Sequence, residues 1–262
     1  MREERVWPAA GGDGPALDAR PVARRVGLVV LSTDHTTEPD FQRMVCREGV
    51  GVYANRVAFT NPINADSLRA MQPHLGEAAG LILPGEDLDA ICYSCTSASV
   101  VIGDAEVAAA IADGKPGVPL VTPAAAAVRG LRALGTGRIA VLTPYTIETS
   151  RSVARYFEMQ GLDVTGLTCL GMEDDRDMAR IAPDVIVDYA VAAMAADSSA
   201  EALFISCTAM RAAAAVPAIE AATGKPVVTS NLATAWNCLR LSACEHPRPE
   251  LGRLMAMALP KD

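Results

Sequence analysis

The sequence predicts an α/β protein of two pseudo-symmetric lobes, each a parallel four-stranded sheet flanked by helices, with the functional cleft between the lobes. Three observations predict it. Short apolar runs bounded by turn residues alternate with Ala- and Leu-rich stretches, the β-then-α rhythm of parallel sheets covered by helices. Half of the 262 residues are apolar and only 4% are aromatic, which suits helices packed tightly on a sheet. The third is an internal repeat. "RVGLVVLSTDHTTEPDF" starts at Arg25 and "RIAVLTPYTIETSRSV" at Arg138, 113 positions on. "ICYSCTSA" carries Cys95 and "FISCTAM" carries Cys207, 112 positions on. "GVPLVTPAAAA" starts at Gly117 and "GKPVVTSNLATA" at Gly224, 107 positions on. Parallel α/β chains repeat generic strand patterns anyway, but "SCT" at both strand ends is not generic. Landmarks in one order at similar offsets point to two homologous halves.

In chain order, apolar runs closed by turn residues predict strands over 26–31, 51–59, 90–93, 119–121, 138–143, 163–169, 202–206 and 226–229. The Ala- and Leu-rich stretches between them predict helices over 66–83, 97–113, 123–134, 146–160, 177–195, 210–223 and 233–243. Residues 1–23, rich in Pro, Gly and Ala with scattered charge, read as a flexible extension without the apolar stretch of a secretory signal. No apolar run has the length of a membrane-spanning helix.

A formal charge of −8 argues against nucleic acid and anionic membrane as principal partners. Seven cysteines, an odd number, do not form a secreted disulfide framework in a chain this long, so a cytoplasmic location with free thiols is expected.

Cys95 and Cys207 each close an apolar strand and each precede a helix. In open α/β sheets, ligands bind beyond the carboxyl ends of the strands. Two such halves facing across a cleft bring two thiols to one ligand from opposite sides. That arrangement suits proton transfer at a carbon beside a carboxylate: one thiolate removes a proton from one face and the second thiol delivers one to the other. A helix N-terminus favours each thiolate. Thr96, Ser97 and Ser99 in one half, and Thr208 in the other, are small polar residues whose hydroxyls and backbone N–H groups can hold a carboxylate and the developing enediolate charge. No metal or organic cofactor is expected, and no motif for either is present.

Other readings stand beside this one. Cys92-Tyr-Ser-Cys95 is a C-x-x-C pattern used in redox and zinc sites. A thioredoxin-like motif opens a helix with its first Cys, whereas Cys92 falls inside the apolar run. Zinc needs further ligands at metal spacing, and the three histidines make no paired motif. Cys92, Cys169, Cys238 and Cys244 read as core or surface thiols. Tyr145, after the strand that opens the second half, can donate to a substrate oxygen or pack at the seam between the lobes. The equivalent stretch of the first half is Ser32, Thr33, Asp34, His35, Thr36 and Thr37, with His35 a candidate solvated loop residue. Asn231 can orient substrate or cap a helix. The run "EDDRDMAR" reads as a loop entering a helix, with Asp175 able to reach the cleft.

The twin Cys-Thr strand ends, "TPY" after the middle strand and the duplicated halves resemble the aspartate/glutamate racemase superfamily. Within it the chain is similar to the branch of maleate cis–trans isomerases, arylmalonate decarboxylases and the ectoine-utilisation (EutA) proteins. "STDHTTE", "NRVAF", "LILPGE", "CTSASVVIG", "GMEDDR", "ALFISCTAMR" and "KPVVTSN" carry the resemblance to the ectoine-utilisation members, and the likeness spans Arg24 to Leu241. It implies a first lobe over 24–122, joined by a C-terminal helix over 232–256, and a second lobe over 123–231. It also implies a homo-oligomer, dimer or tetramer, and a cofactor-independent isomerase acting at the lobe interface. Cys95 would be nucleophile or base and Cys207 the second acid/base; Tyr145 would contact the oxyanion. The decarboxylases have Gly at the first cysteine position, so Cys95 argues against simple decarboxylation.

Two departures matter. Maleate isomerases carry Asn where this chain has Asp34 and Asp175. An amide can donate to a substrate carboxylate, whereas an ionised carboxylate only accepts and repels it. With both aspartates in the cleft, a ligand with a cationic or N–H-rich part fits better than a dianion. The expected activity is racemisation or epimerisation of an ectoine or hydroxyectoine derivative. The alternatives are maleate isomerisation, malonate-type decarboxylation, and a non-catalytic protein that binds a small acid.

Overall fold

The computed structural model describes residues 15–260. Of the expected extension over 1–23, residues 1–14 lie outside the described residues; 15–23 carry no helix or strand and are largely exposed. Eight strands form two sheets. The first contains β1 (Arg24–Leu31), β2 (Val50–Val57), β3 (Ala90–Ser94) and β4 (Leu120–Val121), in the order β2-β1-β3-β4. The second contains β5 (Arg138–Tyr145), β6 (Asp163–Met172), β7 (Ala202–Ile205) and β8 (Val227–Thr229), in the order β6-β5-β7-β8. Every pairing is parallel, and the second order is the first shifted by four strands. The sequence repeat is therefore a repeat of topology.

Burial explains why the strands read as they do. β3 and β7 lie inside their sheets with helices on both faces, and every residue of each is buried. Such strands read as unbroken apolar runs rather than alternating ones. Each Val, Leu or Ile withdrawn fully from water there contributes about 1.5–3 kcal/mol. The edge strands β2 and β6 are only half-buried along most of their length.

The helices depart from the sequence pattern where Pro or Gly interrupts it. The stretch 66–83 is α2 (Ala65–Arg69), a 3-10 turn over Gln72–His74, and α3 (Leu75–Gly80). Pro73 cannot supply the backbone N–H that a continuous helix needs. The stretch 97–113 breaks at Gly103, whose φ of +105° only glycine adopts readily, into α4 (Thr96–Ile102) and α5 (Asp104–Gly114). α6 (Pro123–Ala133) and α7 (Ile147–Met159) follow the prediction closely. Pro183, at the first turn of α9 (Pro183–Ala196), separates it from the four-residue α8 (Asp175–Met178). α10 (Ala212–Thr223) ends on a left-handed Gly224. The sequence pattern missed α1 (Thr37–Met44), a short helix in which only Phe41 and Met44 are buried apolar residues.

α11 (Ser230–Leu241) follows the last strand of the second sheet but packs on α1 and β3 of the first half, and on α6. The helix expected over 232–256 stops at Leu241. Beyond it, Pro247 and Pro249 replace helix with irregular chain and two 3-10 turns, Pro249–Leu251 and Arg253–Ala256. This tail is tied back by Arg240, which donates to the carbonyls of Cys244, Met255 and Met257. No helix among the described residues is long and apolar enough to cross a membrane.

Candidate active site

The carboxyl ends of β3 and β7 point into one crevice between the lobes. Cys95 follows β3 directly and is the N-cap of α4, in relaxed extended geometry (φ −150°, ψ 111°). Its Sγ lies 3.8 Å from Ser97 Oγ, and the Ala98 N–H favours its thiolate. Cys207 lies two residues beyond β7 with φ +90°, a left-handed conformation that costs a non-glycine residue roughly 1–3 kcal/mol and persists only where its surroundings enforce it. The Tyr145 hydroxyl and the N–H groups of Ala209 and Met210 favour its thiolate, and its Sγ lies 3.8 Å from Met178 Sδ.

Both sulfurs line the same cavity, with Leu31, Phe59, Ile63 and Leu68 forming an apolar wall. Both are nearly sealed: Cys95 is 5% and Cys207 6% exposed. The donors that follow each cysteine act in the expected direction, toward the thiolate, and burial outweighs them. Burial pushes each up to about 12, against the lowering effect of its hydrogen-bond donors. Asp175 and Asp34 raise Cys95 further, by like-charge repulsion with its thiolate. Tyr145, buried beside both sulfurs, is held well above its ordinary value, chiefly by burial, and so remains a hydroxyl donor.

Of the predicted site residues, Cys95, Cys207, Thr96, Ser97, Tyr145, Asp34, Thr208 and Asp175 line this cavity. Two of the hydroxyls are already engaged: Thr96 Oγ1 pairs with Ser230 Oγ at 2.7 Å, and Thr208 Oγ1 donates to the Ser94 carbonyl at 3.1 Å. Asn231 is not brought to the cavity wall. Its Nδ2 donates to Asp40 Oδ2 and to the Thr208 carbonyl, both at 2.9 Å, so it lies one layer behind the site it was expected to line. His35 is exposed, and Cys92 is fully buried within β3.

The two aspartates are held differently. Asp34 is buried, and both oxygens accept from the start of α1: Oδ1 from the N–H groups of Thr36 (2.7 Å) and Thr37 (2.8 Å), Oδ2 from Thr37 Oγ1 (2.6 Å). Burial still holds its carboxyl above the usual carboxylate range. Asp175 accepts from Asn61 Nδ2 at 2.8 Å and from Thr33 Oγ1. Asn61 and Thr33 come from the first lobe and α8 from the second, so Asp175 is a tie between the lobes. The backbone bond from Ile63 N–H to the Glu173 carbonyl, 2.9 Å, lies beside it. Among the described residues, no Lys, Arg or His lines the cavity. Sequence reasoning missed Asn61 and Met178. Asn61 follows a strand end, a signal that could have drawn it in; Met178 carries none.

The profile of the arylmalonate decarboxylase (Amdase) family matches residues 48–255. The chain belongs to the arylmalonate decarboxylase family. It is 34% identical over 139 residues to the arylmalonate decarboxylase of Bordetella bronchiseptica, a match spanning 53% of this chain and 58% of that protein. It is 27% identical to the maleate isomerase of Pseudomonas putida KT2440 over 89% of this chain and 98% of that one. Among solved structures, the Pseudomonas putida S16 maleate isomerase bound to maleate superposes with a TM-score of 0.82 at 25% identity, covering 90% of this chain and 98% of that one. A cysteine-to-serine mutant of the Nocardia farcinica maleate cis-trans isomerase, holding a covalent succinylcysteine intermediate, gives 0.79 at 26%, covering 89% and 98%. The family and the two-sheet fold expected from the sequence are thus established. The family match does not reach the finer ectoine-utilisation branch.

Proposed function

We propose that this protein is a cofactor-independent isomerase that moves a proton at a carbon beside a carboxylate, using Cys95 and Cys207 on opposite faces of a small acid. The observation that carries this reading is that two thiols from equivalent strand ends of the two halves line one cavity. In one direction, the Cys207 thiolate takes the proton and the C–H electron pair passes into an enediolate. The Cys95 thiol then gives its proton to the opposite face. The two sulfurs end with exchanged protonation, and the reverse direction uses the opposite pair of states. Tyr145 donates to an oxygen on which charge builds, and Ser97 is a second hydroxyl within the cavity.

The charge of the cavity supports a ligand class. With Asp34 and Asp175 in the wall and no cationic residue there, a dianion meets repulsion that a ligand with an amidinium or N–H-rich end does not. Such an end set against Asp175 also removes the like-charge effect that disfavours the Cys95 thiolate. A carboxylate beside an amidine ring, as in ectoine or hydroxyectoine derivatives, has this character. The second reading is maleate cis–trans isomerisation, supported by the maleate isomerases that match almost end to end.

The test is proton NMR in deuterium oxide with ectoine derivatives and maleate offered separately. Deuterium entering the carbon beside the ectoine carboxylate, with maleate unchanged, is the expected result. Turnover of maleate alone assigns the second reading. Binding without exchange in either, by thermal shift, makes the protein a small-acid binder and ends the two-thiol proposal.

A further inference from the structure

The loop after Cys207 is held from behind by two side chains from distant parts of the chain. Asn231 Nδ2, in the first turn of α11, donates to the Thr208 carbonyl at 2.9 Å. Thr36 Oγ1, just before α1 in the other half, donates to the Ala209 carbonyl at 2.6 Å. In a trans peptide the C=O and the N–H point in opposite directions. Fixing the Thr208 carbonyl therefore aims the Ala209 N–H the other way, and fixing the Ala209 carbonyl aims the Met210 N–H. These two N–H groups are the backbone donors that favour the Cys207 thiolate.

We propose that Asn231 and Thr36 are positioning residues that lock two successive peptides so that their N–H groups converge on the Cys207 sulfur as a preformed thiolate cradle. The inference rests on the reading of Cys207 as a proton-transfer thiol, but its test reads the sulfur itself and needs no turnover.

Three features separate this arrangement from ordinary packing. The left-handed φ at Cys207 needs an external constraint, and these two bonds supply one next to it. Asn231 is 2% exposed, and its Oδ1 has no hydrogen-bond partner among the described residues. An apolar residue would avoid that buried orphan, so the amide is kept for what Nδ2 does. Asp40, itself held by Arg43 at 3.1 Å, accepts the second Nδ2 hydrogen and fixes which end of the amide faces Thr208. Thr36 in turn sits on the turn that Asp34 caps. Asp34 thereby orders the cradle of the opposite thiol, and the cradle is complete only when the two halves are together. The other groups facing Cys207 are Tyr145 from β5, Met178 from α8 and Cys95 from the first half. None of these is altered by the variants below.

The experiment is site-resolved alkylation by iodoacetamide between pH 7 and 10, followed by mass spectrometry on the Cys207 and Cys95 peptides. Wild type is compared with Thr36→Val, Thr36→Ser and Asn231→Ala. One pKa unit is tenfold in thiolate fraction below the pKa. Thr36→Val and Asn231→Ala are expected to slow Cys207 alkylation by about tenfold at fixed pH. The Cys95 rate stays put, and Thr36→Ser retains the wild-type Cys207 rate. If Asn231→Ala does not fold, the two Thr36 variants decide. Equal Cys207 rates in all proteins, including no reaction in any, overturn the proposal. So does a parallel change at Cys95, or a Thr36→Ser variant that behaves like Thr36→Val.

Discussion

The two cysteine corners carry almost the same word, "SCT", and the fold builds them differently. Cys95 stands in relaxed extended backbone at the head of a helix, with two donors and two aspartates near its sulfur. Cys207 stands in left-handed backbone, with no helix until α10 begins at Ala212, and with three donors around its sulfur: Tyr145, Ala209 and Met210. The comparison teaches that the duplication supplied two equivalent positions and the neighbours gave them opposite bias. Anionic charge near Cys95 favours its thiol; donors near Cys207 favour its thiolate. Burial acts on both alike and raises both to about 12.

The largest expected effect tests whether both corners are needed. Cys95→Ser and Cys207→Ser should each lower kcat by about a thousandfold, the usual weight of a positioned acid or base, with circular dichroism unchanged. Full activity in either variant removes the two-thiol mechanism. Next comes the pH dependence. A thiol near 12 is almost all protonated at neutral pH, and the mechanism needs one thiolate. kcat/KM should therefore climb by about tenfold per pH unit between pH 7 and 9. A flat profile means that neither sulfur reacts from the state described here.

A smaller effect sharpens the difference between the corners. Asp175→Asn takes a negative charge away from Cys95 and leaves the donors of Cys207 in place. It should improve kcat/KM for dianionic acids such as maleate by about tenfold, equivalent to about 1.4 kcal/mol, and weaken turnover of ligands with a cationic end. Unchanged preference in competition assays would show that Asp175 serves the lobe contact and not the ligand. The smallest effect lies in stability. Burial holds the carboxyls of Asp34 and Asp40 above their ordinary value, so the folded state binds these protons more tightly than the unfolded chain. Their favourable contribution is complete below about pH 4 and is lost as pH rises through the folded pKa. Asp34→Asn, which keeps an oxygen for the N–H groups of Thr36 and Thr37, should raise Tm at pH 7 by more than at pH 4. An equal change at both values would show that the charge itself costs the fold nothing.

Much of this was legible without coordinates. The inner strands were readable because parallel strands buried on both faces are continuously apolar, as β3 and β7 show. The pair Cys95 and Cys207 was readable because a repeated strand end places both residues at the same kind of position. Tyr145 and Asp34 followed from the same rule, and Asp175 from a charged loop entering a helix. Helix boundaries were legible only in part: Pro73, Gly103 and Pro183 each divided a stretch whose composition alone read as one helix. α1 was missed because eight residues with few buried apolar side chains carry little periodic signal.

The chain by itself determined the layered α/β plan, the duplication and the identity of the two sulfurs, because hydrophobic period and repeated words are local properties of a string. Only the tertiary structure decided their electrostatics. Whether a thiol is raised or lowered depends on how much water is excluded and on which groups arrive from elsewhere, such as Asp175 against Cys95 and Thr36 behind the loop of Cys207. Asn231 shows the same division. Its position after a strand end drew it toward the ligand in sequence terms, yet the packing of α11 against the first half turned its amide to the Thr208 carbonyl. Contacts between residues 173 positions apart, such as that of Thr36 with Ala209, have no signature in local pattern, because they exist only once two lobes are packed face to face.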